Sequence, residues 1–598
     1  MWSAIARRIR KRHRSTASTN LNPDDTVIAC TDEEIVGQTV PLSSLHIERN
    51  PLCFIYRLPT EILEAIFIQC ARDYFRAFSG HPIATVPDWV NVSYVSCHWR
   101  NVALNCPALW TYLFVASPRW TAALLARSKQ MSLKVDVNLH RWDEKRHRSF
   151  RFVEQVMDHV EHIQDLYLDL SMHNLHQVLS KLSSRAPRLQ RLEINAIGYP
   201  PEWSTLPFDG DTPALRILRL ERCPVPWYSL NLSGLTLLSL LQVPVRFQQH
   251  TAEFLATLSS MRNLQYLYLV DALASATGFL SSTSSRNFQK VDLPRLSHFS
   301  IIAPLSTVIA LLSYINIPLE TEVTLGPDYG FQGDFSSLND YAPLYSLLAK
   351  RYGMESQDRA PSFLTIRSLI IEYSGTEYEW AKLSFRTLER DCDSCPSVPC
   401  MEWGCTIRFQ ILLAFRQPSI HRNRLISRIC CSMPLSHVRS VHVLNPPFSL
   451  AFWTDVLGRL RNLRYIKLSN GIMPNLASAL SLTLHDFTEN QDGQADRGQT
   501  QILAPALEEL QLDGILFSTA LGGDMNPLEA TDLQSLCDAL STRKEPRGRL
   551  RMTSCYSVKR TSDRQLKVFD MEGWWEGGRF CVISPKDDDH ELERLDTS

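Results

Sequence analysis

Residues 392 to 405 read CDSCPSVPCMEWGC, the one place where the cysteines of this chain fall at regular spacing. Cys392, Cys395, Cys400 and Cys405 follow a C-x2-C-x4-C-x4-C pattern, and four thiolates can close a tetrahedral structural zinc site. Pro396 and Pro399 stand where such a site calls for glycine or polar residues. The other reading is a cysteine-containing loop whose last member, Cys405, opens the strand CTIRF; spacing alone leaves both open. The 17 histidines do not group with acids at ligand spacing. G-x-x-x-x-G-K-[ST], H-E-x-x-H and G-x-S-x-G are all missing, and with them the phosphate cradle, the zinc-protease face and the nucleophile elbow. The expectation is therefore a chain with no catalytic residue, no cofactor and no metal. Trp574 and Trp575, in EGWWEGG, read as a packing anchor rather than a ligand platform.

The remaining chemistry is that of docking. Residues 58 to 67 read LPTEILEAIF. Pro59 has no N–H and a fixed φ, so it suits the first position of a helix. Glu61 in the first turn favours the positive end of the helix dipole. At about 100° per residue, Ile62, Leu63, Ile66, Phe67 and Cys70 share one broad arc, with Glu61, Glu64 and Gln69 off it. Ile68 falls on the polar side. After a Gly/Pro-broken connection, Trp89, Val92, Val95, Trp99 and Val102 recur at helical steps, and Pro107 stops them. Leu109, Trp110 and Leu113 then start another turn. Two or three short helices form a marginal domain, so part of so much apolar and aromatic surface must be buried against something else.

These three blocks carry a resemblance. Leu58, Pro59, Glu61, Ile62, Leu63, Ile66 and Phe67, then Cys97, Trp99, Arg100, Val102 and Ala103, then Leu109, Trp110 and Leu113 resemble the F-box pattern L-P-x-E-I-L-x-x-I-F, C-x-W-R-x-V/L-A, L-W-x-x-L. The long insert between the halves looks like the variant common in proteins of mushroom-forming fungi. The resemblance covers about one-tenth of the chain. It implies a Skp-type adaptor as partner, and through it a cullin, a RING subunit and a ubiquitin-charged conjugating enzyme. It implies that Leu58, Pro59, Ile62, Leu63 and Phe67 face the adaptor, joined by Trp99, Val102 and Trp110, while Ile66 and Val95 belong to the small core. The chemistry would be the conjugating enzyme's, and this chain would supply proximity.

The elements that must position a recognised protein follow. A loose L-x-x-L-x-L template recurs at Ile163, Leu166, Leu168; Leu189, Leu192, Ile194; Leu215, Leu218, Leu220; Leu235, Leu238, Leu240; Leu264, Leu267, Leu269; and Leu296, Phe299, Ile301. It returns at Ile366, Leu369, Ile371; Val438, Val441, Val443; Leu463, Ile466, Leu468; and Leu507, Leu510, Leu512, with a weaker strand at Val323 and Leu325. Helical patterns such as LHQVLSKL and STVIALLSYI lie between, each ended by a proline-containing turn. One short strand and one helix cannot bury a core alone. Stacked, they give a parallel sheet with a Leu-rich seam and helices on one side. The expected fold is therefore α/β: a small three-helix F-box, then an irregular leucine-rich-repeat solenoid with its helices on the convex side. The Asn or Cys usual just after such a strand is nearly missing, Cys223 being the best fit, so the backbone ladder must be completed otherwise. An α/β domain with Leu-rich strands is the competing reading.

Composition bounds the rest. The 598 residues exceed one ordinary core. Hydrophobic residues are 44% and charged residues 21%, the balance of a soluble globular protein. A formal net charge of −1 points to neither nucleic acid nor membrane. Fifteen scattered cysteines without a secretory signal read as reduced thiols, and the expected location is cytoplasmic and/or nuclear. The basic start MWSAIARRIRKRHRSTASTN is a solvated tail, a nuclear signal or a presequence. The expected organisation is a polar tail over 1–50, the F-box-like domain over 51–118, repeats over 119–585 and an acidic tail over 586–598.

Overall fold

The computed structural model describes residues 58–78, 88–114, 118–138, 150–182, 185–197, 207–223, 225–276, 289–327, 339–352, 365–374, 379–388, 405–415, 419–445, 448–472, 475–482, 502–518, 531–543, 547–558, 566–576 and 579–583. Both expected tails, the segments DYGFQGDF and TENQDGQADRGQT, and Cys392, Cys395 and Cys400 lie outside the described residues. The chain divides into two compact units, Met1–Thr111 with Ala123–Met131, and Tyr112–Ala122 with Ser132–Ser598.

The first unit is helical. Its long helix is Thr60–Phe78, followed by a 3₁₀ stretch Asp88–Tyr94, a helix Cys97–Asn105 and a 3₁₀ turn Pro107–Trp110. The continuous periodicity from Trp89 to Val102 predicts one helix, but the chain breaks after Tyr94. Ser96 takes an extended conformation, and its hydroxyl accepts the Trp99 N–H at 3.1 Å. A side chain that caps a helix end competes with continuing the helix through it. Leu113, expected in a third helical turn, is in a strand instead.

The second unit is mixed α/β. Its strands are β1 (Tyr112–Phe114), β2 (Leu133–Asn138), β3 (Ile163–Ser171), β4 (Arg191–Ile197), β5 (Ile217–Glu221), β6 (Leu237–Leu241), β7 (Tyr266–Val270), β8 (Val291–Asp292), β9 (His298–Ala303) and β10 (Ile315–Asn316). They continue with β11 (Glu322–Pro327), β12 (Ile366–Ser374), β13 (Glu379–Leu388), β14 (Cys405–Phe415), β15 (Ser440–Leu444), β16 (Tyr465–Ile472), β17 (Glu509–Ser518), β18 (Gly548–Val558), β19 (Leu566–Glu576) and β20 (Arg579–Ile583). β8 and β10 pair with each other. The other 18 form one sheet. From β1 to β11 the sheet follows sequence order and is parallel throughout.

The repeat template lies in register across the whole sheet. Leu166, Leu192, Leu218, Leu238, Leu267, Phe299 and Val323 are successive partners, as are Leu168, Ile194, Leu220, Leu240, Leu269, Ile301 and Leu325. Leu369, Val441, Ile466, Leu510 and Leu550 continue the first row on the far side. All of these side chains are buried. A period of two puts them on one face, so one slip of register would carry the whole row to the other side. Helices Leu305–Tyr314 and Thr531–Ser541 pack on β9 and β17 respectively. Where the offset is short, as between Leu215 and Leu235, the described residues of the connection hold the 3₁₀ turn Trp227–Ser229 in place of a helix.

One insertion changes the strand order. β14, not β12, lies beside β11. β13 then runs antiparallel between β14 and β12, and β12 pairs in parallel with β15. Residues 375–378 are too short a connection for a parallel crossover, which needs about a dozen residues, so β12 and β13 must be antiparallel. Both connections that enter and leave this meander cross two strands. β18, β19 and β20 close the sheet as a second antiparallel meander.

The missing Asn/Cys position is made good by backbone. Arg222, Gln242, Asp271, Asn445, Asn470, Gly514 and Ser554 all have positive φ, from 47° to 62°. Arg222, Gln242, Asp271 and Asn445 lie just past their strands, two residues after the buried Leu220, Leu240, Leu269 and Val443, whereas Asn470, Gly514 and Ser554 interrupt β16, β17 and β18 two residues after the buried Leu468, Leu512 and Met552. The left-handed residue turns its N–H onto the next strand: Arg222 to the Leu241 carbonyl at 2.8 Å, Asp271 to Ile302 at 2.8 Å and Asn445 to Ser469 at 2.8 Å. At the other strand end a backbone chain runs Gln190 to Gln164, Arg216 to Gln190, Thr236 to Arg216, Gln265 to Thr236 and Ser297 to Gln265, each 2.8 Å. Gly514→Ala should cost about 1 kcal/mol, because φ is +62° and a Cβ would stand 2.8 Å from Asn470 Oδ1. An unchanged denaturation midpoint would refute this account of the turn.

Candidate functional site

Two surfaces offer themselves, one in each unit. In the first unit the long helix begins one residue later than expected: the N–H groups of Ile62 and Leu63 donate to the Pro59 carbonyl at 3.1 and 3.2 Å. Pro59 thus precedes the first helical residue. Leu63, Phe67 and Ala71, four residues apart, make the buried stripe. The Phe67 ring lies 5.1 Å from that of Trp99. Val102 and Ala103 are buried beside Trp99 on the same helix. Trp110 donates its indole N–H to the Ala103 carbonyl at 2.8 Å and meets Trp89 edge-on at 5.4 Å. Arg127 stands 4.5 Å above the Trp110 ring. Burial, then the neighbouring Arg100, hold its guanidinium below its ordinary pKa.

The eight residues expected on the docking face therefore separate. Leu63, Phe67, Trp99, Val102 and Trp110 are buried within the chain, and in this conformation their side chains offer next to no surface. Pro59 and Ile62 are exposed, Ile62 by 48%, and Leu58 is half-buried. The arc alone does not decide this: Ile62 and Phe67 stand at its opposite edges, about 140° apart, and the Trp99 helix covers the Phe67 side. Val95, expected in the core, is 49% exposed, and Tyr94 beside it is 63% exposed. The helix break after Tyr94 removes Val95 from the Trp89–Trp99 periodicity. Ile66 and Ile68 are both half-buried. Tyr94 is the surface residue that the helical pattern missed.

In the second unit the strand face opposite the leucine rows carries the polar residues. One row runs Asp136, Tyr167, Glu193, Arg219, Ser239, Tyr268, Ser300 and Thr324 from β2 to β11. Beyond the meander it runs Ile370, His442, Lys467, Gln511, Arg551 and Glu572. The β2–β4 end leans acidic. Asp169 is buried and accepts from the amides of Asn138 and Asn195, each at 3.1 Å. Asn195 in turn accepts from Arg222 at 2.8 Å, so one polar ladder crosses four successive repeats. Burial, then Asp169 and Glu193, push the Asp136 carboxyl up to about 6. Burial and the same carboxylates push Tyr167 up to about 12. The middle of the face is aromatic and aliphatic, with Tyr266 stacked on His298 at 4.8 Å.

The β12–β16 end has the opposite sign. Burial, then Lys467 and Arg386, push His442 down to about 4 against the pull of Asp513. Its Nε2 is 3.0 Å from Ser469 Oγ. Further on, Trp575 is fully buried, with Trp574 half-buried under Arg547 at 4.8 Å, so Trp575 is the packing anchor of the pair.

Of the cysteine group, only the backbone of Cys405 is described, opening β14 opposite Leu388. Among the described residues no cluster of three His, Cys, Asp or Glu can hold a metal ion, and no helix is long and apolar enough to cross a membrane. The nine cysteines whose side chains are described are free thiols. Burial pushes Cys223 and Cys537 up to about 12 and Cys555 to about 11, which disfavours their thiolate forms at neutral pH. What this geometry can do is bind: a small apolar shoulder on one unit and a long sign-graded strand face on the other. No protein-family model matches the chain, and no curated protein matches it.

Proposed function

We propose that this protein is the substrate-recognition subunit of a Skp–cullin–F-box ubiquitin ligase. Its first unit would be the F-box, docking to the Skp-type adaptor. Its second would be an irregular leucine-rich-repeat solenoid whose polar strand face holds the protein to be ubiquitylated. The reading rests above all on one observation: the three sequence blocks that resemble an F-box close a single core, Phe67 on Trp99 and Trp110 on Ala103. That core leaves Leu58, Pro59 and Ile62 at the surface, with Tyr94 and Val95 as further apolar exposure. The chain itself would be non-catalytic, contributing proximity between substrate and conjugating enzyme.

The test is co-purification with the adaptor. Ile62→Asp should cut adaptor binding at least about ten-fold, because it puts a charge into an apolar contact. Thermal stability should hardly change, since the side chain is already half in water. Ile62→Asp binding the adaptor as well as wild type would refute the docking assignment. Cullin in the same complex supports the ligase; adaptor without cullin would instead make the protein an interaction scaffold acting outside ubiquitylation.

A further inference from the structure

We propose that the open strand face from β2 to β9 receives an extended segment of the recognised protein in which a lysine or arginine stands about six residues from a pair of large apolar side chains. The cation would meet Asp136 and Tyr167, and the apolar pair would lie on β6, β7 and β9. This rests on the reading of that face as the recognition surface. Leu237 and Tyr266 are in-register partners, and four residues further along the same strands Leu241, Val270 and Ile302 are partners in turn. Tyr268 stands between the two rows. A period of two puts all six opposite the buried leucine rows, and each is only half-buried. An apolar and aromatic block on an otherwise polar face is what the centre of a protein interface is made of.

The carboxylates toward the start of the sheet select the cation. Asp136, Tyr167 and Glu193 are in-register partners on β2, β3 and β4. Most charges around them are matched: Lys134 with Asp165 at 3.3 Å, Arg191 and Arg219 with Glu193 at 3.7 and 3.5 Å, and Arg222 with Glu221 at 2.8 Å. Asp169 accepts from two amides. Asp136 is half-buried and has neither hydrogen bond nor ion pair among the described residues. The charges it feels, Asp169 and Glu193, are both negative. Tyr167 beside it feels four carboxylates and no cation. A half-buried carboxylate repelled by its neighbours gains most from a cation that a partner brings, and an aromatic neighbour favours that cation further. From β2 to β6 is four strand spacings of about 4.8 Å, or about 19 Å, which an extended chain crosses in about six residues. An acidic segment would meet like charge at Asp136, and that repulsion gives the face its discrimination.

The experiment is fluorescence anisotropy on the full chain with labelled peptides of equal length on a Gly/Ser background. The first carries two arginines and, about six positions on, a tryptophan and a leucine. The second has glutamates for the arginines, and the third has serines for the apolar pair. The first should bind, more weakly as salt rises, and the other two at least about ten-fold more weakly. Asp136→Lys should weaken the first peptide at least about ten-fold, and Asp136→Asn and Tyr268→Ala at least about three-fold. Lys467→Gln, many strands away, should leave it unchanged. Asp136→Asn removes a repelled charge, so its loss of binding cannot come from unfolding. No binding of the first peptide, equal binding of the second or third, or full binding by both Asp136 variants overturns the proposal. Sedimentation tests the other occupant: self-association that Asp136→Lys abolishes would make the face an interface between two copies, and overturns it too. Adaptor co-purification is read on the same preparations. Adaptor retained with no arginine peptide bound sinks this inference alone; arginine peptide bound with no adaptor sinks the ligase reading alone.

Discussion

Arg543→Ala should destabilise the second unit by about 3–5 kcal/mol. Arg543 follows the helix Thr531–Ser541 and is only 3% exposed. Its guanidinium donates to three backbone carbonyls: Ala504 at 2.6 Å, Leu503 at 2.7 Å and Leu480 at 3.5 Å. Among the described residues no carboxylate pairs with it, and burial pushes its pKa down to about 10. It therefore does the work of a cap, meeting carbonyls at the end of the helix Leu476–Ser481 and in the turn before β17. It ties Leu480 to Leu503 and Ala504, residues more than twenty positions apart in the sequence. Ala504 has φ +48°, a strained conformation for a residue with a Cβ, and the Arg543 bond to its carbonyl helps hold it. Truncation leaves those carbonyls unmet and opens a cavity. Arg543→Met keeps most of the volume and should cost less, about 2–3 kcal/mol, because only the hydrogen bonds are lost. Amide hydrogen exchange would locate the effect, with opening concentrated in 476–481 and 503–507. A cost below about 1 kcal/mol for the alanine variant would mean that water replaces the guanidinium without penalty.

The leucine rows were legible because burial on one face of a strand leaves a period of two in the sequence. Leu192, Leu218, Leu238 and Leu267 could be placed from spacing, and they pair in the order read. The strand order through β12–β14 was not legible. Spacing marks where a strand is, and says nothing of which neighbour it takes when a short turn forces a reversal. The left-handed turns were hidden for a different reason: Arg222, Gln242 and Ser554 have side chains that give no sign of positive φ, unlike Gly514 or Asn470. In the first unit, helical spacing gave the stripe but not its division between core and surface. Leu63 and Ile62 are adjacent apolar residues, and only the packing of the Trp99 helix decides which of them is covered. The sign change along the strand face escaped because its charges come from strands hundreds of residues apart, brought into one row by register.

Asp136→Asn and His442→Gln should bend the pH dependence of stability in opposite directions, the first by up to about 3 kcal/mol and the second by about 1–2 kcal/mol. Asp136 is raised from 3.8 to about 6 in the folded chain. Between those values the folded state holds the proton more tightly than the unfolded one, so this carboxyl adds stability as pH falls from 6 toward 4. Above pH 6 its charge is a standing cost, and Asp136→Asn should be the more stable protein at neutral pH. His442 is lowered from 6.5 to about 4. Here the unfolded state takes the proton first, so stability present above pH 6.5 is lost as pH falls through the same window. Solvent around the half-buried imidazole reduces that loss to about 1–2 kcal/mol. In the wild type the two effects oppose each other, and their sites are many strands apart, so they should add independently. The difference curve between wild type and Asp136→Asn should therefore rise on acidification, and that for His442→Gln should fall, when denaturation midpoints are followed from pH 7 to pH 4. Parallel curves for all three proteins would show that neither group feels the neighbours which the register places beside it. Curves that diverge as described would fix the sign of the field at each end of the strand face.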